Sequence, residues 1–157
     1  MTREELSSAL PDYTAGIEAE LTLLKQLQHL AEAQQEASRA HDLSDVNRVG
    51  DARERIMAAL VKLEHELKPI RLAIAANKEE TQTLEGFSAI TALHRTAAGL
   101  VAEILQADQN TLAELKSAEQ ARRTSAQAVE TGEATLAAYR RVLTPSLGST
   151  GLINRRG

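Results

Sequence analysis

Four histidines and 22 acidic residues carry most of the acid–base or metal chemistry open to this chain, because cysteine is absent. His65 and His94 would fall near each other if the helices bearing them fold back around residue 80, a spacing that could suggest a metal clamp. His65, however, lies on the outside of its heptad between Leu63 and Leu67, while His94 falls on an apolar seam. One solvated and one seam histidine is the expectation, because an imidazole clamp needs both rings on facing surfaces. His29 and His41 have no partner at ligand spacing, and Glu64 and Glu66 do not share a helix face. Gly148-Ser149-Thr150-Gly151 lacks the lysine that would follow in a phosphate-binding loop. Without cysteine there is no disulfide framework, thiolate metal site or cysteine nucleophile. The expectation is a non-enzyme with no cofactor and no metal.

The elements that would carry these residues are helices. Of the 157 residues, 43% are hydrophobic but only 2% aromatic: Tyr13, Phe87 and Tyr139. Alanine and leucine dominate, and valine and isoleucine are too sparse for the pleated faces of a sandwich or barrel. One domain of this length can bury a core. Breakers divide it into three helical patterns, expected at about 12–40, 45–77 and 83–143, forming one domain over 1–143. In the first, Ile17, Leu21, Leu24, Leu27, Leu30 and Ala31 recur at three and four, after Asp12 as an N-cap behind Pro11. In the second, Val49, Arg53, Ile56, Leu60, Leu63, Leu67, Ile70 and Ile74 form a heptad seam. Ser44 is its expected cap, and the register continues past Pro69, which predicts a kinked helix rather than a stop. The third runs from Phe87 and Ile90 through Ile104, Asp108 and Leu115, then weakens to Val129, Leu136, Tyr139, Val142 and Leu143. Unbroken, it would measure about 90 Å at 1.5 Å per residue. Periodicity leaves open whether it is continuous or folds back at Gly132.

The turns set a register. A hairpin about residue 80 brings Arg53 opposite residue 107, beside Asp108, and each is the one charge in its apolar stripe. A charge in a seam is tolerated when paired, so an Arg53–Asp108 contact is expected. The first helix would reach only as far as about residue 118 of the third. The expected fold is therefore all-α: an elongated three-helix antiparallel coiled-coil bundle with a long C-terminal helix and a flexible tail. The rest of that helix would be marginal in water without a partner. Leu112, Leu115, Val129, Leu136, Tyr139, Val142 and Leu143 would supply partner contacts there.

Charge and hydropathy narrow the setting. The net charge is −4, which disfavours nucleic acid, since a nucleic-acid binder needs a basic face. The longest apolar stretch, 70–76, contains Arg71 and is too short to span a bilayer. The first residues carry Glu4 and Glu5 and no apolar h-region, so no secretory signal is read there. A reduced cytoplasmic setting without stable membrane insertion is expected. The segment 144–157 is a flexible basic tail by composition, and Arg140, Arg141, Arg155 and Arg156 face no acid from residue 140 onward.

Several segments together resemble one family. They are the leucines of 21–30; Asp51-Ala52-Arg53-Glu54-Arg55-Ile56; Leu67-Lys68-Pro69; and Ile104-Leu105-Gln106-Ala107-Asp108. The ending adds Leu136-Ala137-Ala138-Tyr139, a Pro-Gly spacer, and Leu152-Ile153-Asn154-Arg155-Arg156-Gly157. In this order they resemble the FlgN/FliT-type flagellar export chaperones, with Asn154 where the family pattern has Asp. The resemblance implies a cytoplasmic chaperone that holds the disordered terminal region of hook–filament junction (hook-associated) proteins and delivers them to the flagellar export gate. It implies further that the C-terminal helix carries much of the partner binding and that Tyr139 contributes to gate docking.

Two other readings fit the same residues. A structural coiled-coil homodimer or scaffold would use Val129, Leu136 and Tyr139 as dimer core. A tethered scaffold would use the basic tail on nucleic acid or membrane.

Overall fold

The computed structural model describes residues 1–143, with side chains through Val142. The basic tail over 144–157, including Arg155 and Arg156, and the side chain of Leu143 lie outside the described residues. Every regular element among the described residues is helical: α1 (Arg3–Arg39), α2 (Leu43–Ala76), the single turn α3 (Lys78–Thr81) and α4 (Phe87–Leu143). The chain divides into two units, Met1–Glu114 and Leu115–Gly157, and the division falls inside α4.

α1 starts at Arg3, well before the position near Asp12 that Pro11 suggested. Thr2 caps it: its hydroxyl accepts from the Glu5 amide at 3.2 Å, and the Glu5 carboxylate accepts from the Thr2 amide at 2.6 Å. This reciprocal box satisfies two donors that would otherwise lack partners. Pro11 sits inside the helix, where a missing donor and a ring clash cost about 3 kcal/mol. Leu6, Leu10 and Tyr13 are buried around it, and at about 1.5–3 kcal/mol each their burial outweighs that cost.

The α1–α2 turn is a Schellman motif without glycine. Asp42 N–H donates to Ala37 O at 2.9 Å and His41 N–H to Ser38 O at 3.2 Å, with His41 in the left-handed region at φ 57°. Asp42, not Ser44, then caps α2, accepting from the Asp45 amide at 3.0 Å. α2 runs through Pro69 to Ala76. α4 begins at Phe87 rather than near residue 83, because Thr83 and Leu84 close turns onto Glu80 and Thr81. Gly86 adopts φ +88°, a conformation a side chain would strain. Gly132 does not end α4, which continues to Leu143.

Within the first unit two apolar clusters draw on the same three helices. One joins Leu6, Leu10, Tyr13 and Ile17 of α1 to Leu67 of α2, Ile90 of α4 and the connecting Leu84. The other joins Leu24, Leu27 and Ala31 of α1 to Ile104 and Ala107 of α4, with Ile56 and Leu60 of α2 against them. The start of α1 thus meets the end of α2 and the start of α4, while its later half meets the earlier part of α2. At Gly16 the helices leave no room for a side chain: a Cβ would lie 2.5 Å from Leu67 Cδ2.

Candidate functional site

The residues expected to bind a partner all lie on α4. Leu112 is exposed in the first unit; the others belong to the second. There Val129 and Leu136 are each 69% exposed and Tyr139 61%, while Leu115 is half-buried. From residue 119 to 142 every described side chain is exposed. At about 100° per residue, Val129 and Leu136 lie about 20° apart, with Leu115 about 40° to one side of Val129 and Tyr139 about 60° beyond Leu136, while Val142 lies about 140° round the helix from Val129. Small residues separate the large ones: Ala118, Ser125 and Gly132.

One charged group stands among these residues. Arg122 binds Glu119 through two nitrogens at 2.9 and 3.0 Å, and Arg123 Nε reaches the same carboxylate at 3.1 Å. The hydrogen bonds from Arg122, then Arg123, hold the Glu119 carboxyl down at about 2. Arg140 and Arg141 stand in the last turn, where cations complement the helix dipole.

Arg53 and Asp108 meet. The guanidinium makes two bonds to the carboxylate, Nη1–Oδ1 at 2.6 Å and Nη2–Oδ2 at 2.9 Å, and Nη1 also donates to Gln34 Oε1 at 2.7 Å. Gln34 Nε2 in turn donates to Val46 O at 3.1 Å. The side chains are 18% and 32% exposed, dry enough for a forked pair to fix register among α1, α2 and α4. Gln34 was not foreseen, since glutamines are frequent in α1 and spacing does not single this one out.

A second polar network was missed entirely. The Tyr13 side chain is only 2% exposed. Its hydroxyl accepts from Arg71 Nε at 3.0 Å and lies 3.0 Å from His94 Nε2. Arg71 also binds Glu20 at 2.6 Å and pairs with Glu64. The direction of the Tyr13–His94 bond follows the imidazole tautomer: where neutral His94 carries its proton on Nδ1, the hydroxyl donates to Nε2. Burial lowers the His94 pKa, and the nearby Arg71 charge adds to this. Burial likewise raises Tyr13 against the opposing pull of Arg71, and it raises Glu20 although Arg71 is bound there. Burial alone would depress Arg71, but Tyr13, Glu20 and Glu64 together hold it above its ordinary value. His94 is therefore at the edge of a polar cluster rather than in an apolar seam, and its side chain is exposed. The legible signal was Arg71 itself, a lone cation in the apolar run 70–76.

Beside this network lies an open groove of about 460 Å³, with Leu24, Leu60, Val61, Ala97 and Val101 on its apolar side. His65 is exposed. Among the described residues no group of three or more histidines and acids could hold a metal ion, and no helix is long and apolar enough to cross a membrane. Comparison of this chain with protein-family models, with curated proteins and with solved structures returned no match.

Proposed function

We propose that this chain is a non-enzymatic, cytoplasmic export chaperone of the FlgN/FliT type. Its long helices form an elongated antiparallel three-helix coiled-coil bundle, and an exposed face of α4 receives the disordered terminal region of a flagellar hook-associated protein. The observation that supports this reading is the run of exposed apolar side chains at Val129, Leu136 and Tyr139 on a helix that continues to Leu143. An amphipathic client segment would fold against them helix-to-helix. With Leu115 these make four large side chains, which at about 1.5–3 kcal/mol each provide a gross contribution of about 6–12 kcal/mol. Ordering the client and losing its free motion removes much of this, which leaves micromolar to nanomolar affinity. The alanine-rich surface around these contacts suits release as well as capture. Tyr139 is the residue assigned to docking at the export gate.

Isothermal titration against terminal peptides of hook-associated proteins tests the reading. Binding is expected with at least one such terminus, together with slower amide exchange over 119–142 in the complex. Leu136→Ala with Tyr139→Ala should weaken it at least about tenfold. Absence of heat and of protection with every terminus tried overturns the assignment.

A further inference from the structure

Counting in sevens along the second unit separates two series on one side of α4. The first is Leu115, Arg122, Val129 and Leu136; the second is Ala118, Ser125, Gly132 and Tyr139. The first is large throughout, and the second is small up to Tyr139. We infer that this face pairs with the same face of a second copy, antiparallel, with Leu115 opposite Tyr139. In that register Ala118 falls opposite Leu136, Ser125 opposite Val129, and Gly132 opposite Arg122. Every inner layer then combines one large and one small residue, and the two outer layers close with leucine on tyrosine. Such alternation lets two helix backbones approach while filling the space between them. At Gly132 even a Cβ would have nothing within 4 Å, so the glycine leaves room for the opposing Arg122.

Charge favours the same direction. Lys116, Arg122 and Arg123 outnumber Glu119 in the first half of the segment, and Glu130 and Glu133 follow without a cation between them. Antiparallel pairing lays Arg122 and Arg123 of each copy level with Glu130 and Glu133 of the other, while Lys116 falls level with residue 138, next to Arg140. Glu119 already holds both Arg122 and Arg123, at 2.9 and 3.1 Å, which leaves cationic surplus for Glu133 of the second copy. A parallel pair would instead set Arg122 on Arg122, and would stack Ala118, Ser125 and Gly132 on themselves with the space between them unfilled. Like charges in facing layers select against that arrangement.

The chain lacks cysteine, so single introduced thiols report on this directly in the full-length protein. Sedimentation velocity should show a reversible dimer whose weight-average mass rises up to about 100 µM. With a short thiol cross-linker, Ala128→Cys, beside the twofold centre, should link to itself. Ala118→Cys should link to Leu136→Cys in a mixture but not to itself. Arg122→Glu and Glu133→Arg should each weaken self-association at least about tenfold, and mixing the two variants should restore it. Ala118 is half-buried and the other positions are exposed, so circular dichroism of the variants should match the wild type. A monomer throughout the concentration range, or linkage of Ala118→Cys to itself, overturns the inference. The pairing does not depend on the export reading. No client is present in these experiments, and a monomer would leave client binding to its own titration.

Discussion

The two stretches of α4 use one alphabet to different ends. Over 87–114, Ile90, Ile104, Ala107 and Thr111 are buried and apolar residues recur at three and four. Over 115–142, the large apolar residues thin out to Leu115, Val129, Leu136, Tyr139 and Val142, with alanine, serine or glycine between them, and exposure is complete from residue 119. Helix propensity barely distinguishes them, since alanine, leucine, glutamate and arginine are all good formers. What differs is how many large side chains each turn offers to a neighbour, and that decides whether a helix is a core element or a surface available to one. The sharpest test substitutes alanine in each region. Ile17→Ala, in the cluster that receives Ile90, should cost about 2–5 kcal/mol in urea unfolding. Leu136→Ala should change the stability of the monomer by less than about 0.5 kcal/mol. A comparable loss at both positions would erase the distinction.

Next in size is the pair that holds the packed region in register. Asp108→Ala leaves Arg53 partly buried with only Gln34 as a side-chain acceptor. The expected loss is about 1–3 kcal/mol. Arg53→Met in the same chain should recover much of it, because the stranded charge goes with the carboxylate. If the double variant were no more stable than Asp108→Ala, the loss would have come from packing at Asp108 alone.

How much of this could be read beforehand depended on the range of the signal. The seam from Val49 to Ile74 is a local period, so α2 was legible, and its continuation through Pro69 followed from unbroken spacing on both sides. Arg53 and Asp108 are distant in sequence, but each is alone in a stripe, and two lone charges with one turn between them have few places to go. The start of α1 was missed because Pro11 outweighed the Thr2–Glu5 box, a signal that was present. The turn α3 is too short to have a period. The network of Tyr13, Arg71, His94, Glu20 and Glu64 is drawn from all three long helices, and no spacing on any one of them announces it. For the exposed stripe, hydropathy suggested the residues and helical phase spreads them: Val142 is apolar and nearby, yet about 140° round the helix from Val129.

Glycine compares the regions through a single methyl group. Gly16→Ala places a Cβ 2.5 Å from Leu67 Cδ2 and within 3.3 Å of its Cγ. Leu67 is itself buried and has little room to yield, so the clash outweighs the gain in propensity, for a net loss of about 1 kcal/mol. Gly132→Ala meets nothing within 4 Å and should stabilise the helix by about 0.5–1 kcal/mol. Thermal melts at low micromolar concentration should therefore shift in opposite directions. Shifts of the same sign would show that local propensity, not helix contact, governs both sites.

The smallest expected effect is one of pH, and it belongs only to the packed region. Neutral His94 with its proton on Nδ1 receives a hydrogen bond from Tyr13, and burial with the Arg71 charge lowers the His94 pKa below 6.5. The unfolded chain therefore binds a proton first as pH falls, so stability is complete above 6.5 and declines as pH drops from there through the folded value. Glu20 acts in the opposite sense. Burial raises its pKa above 4.5, so the folded state takes up a proton first, and stability is regained as pH falls through that window. Arg71 faces both groups and Glu64 faces Glu20, and Arg71 stays charged throughout. Urea midpoints should thus fall between about pH 7 and the folded pKa of His94, then level off as Glu20 protonates. His94→Gln keeps an acceptor for the Tyr13 hydroxyl but cannot titrate, and should abolish the decline while keeping the acid-side compensation. A decline of unchanged size in that variant would locate the titration outside this network.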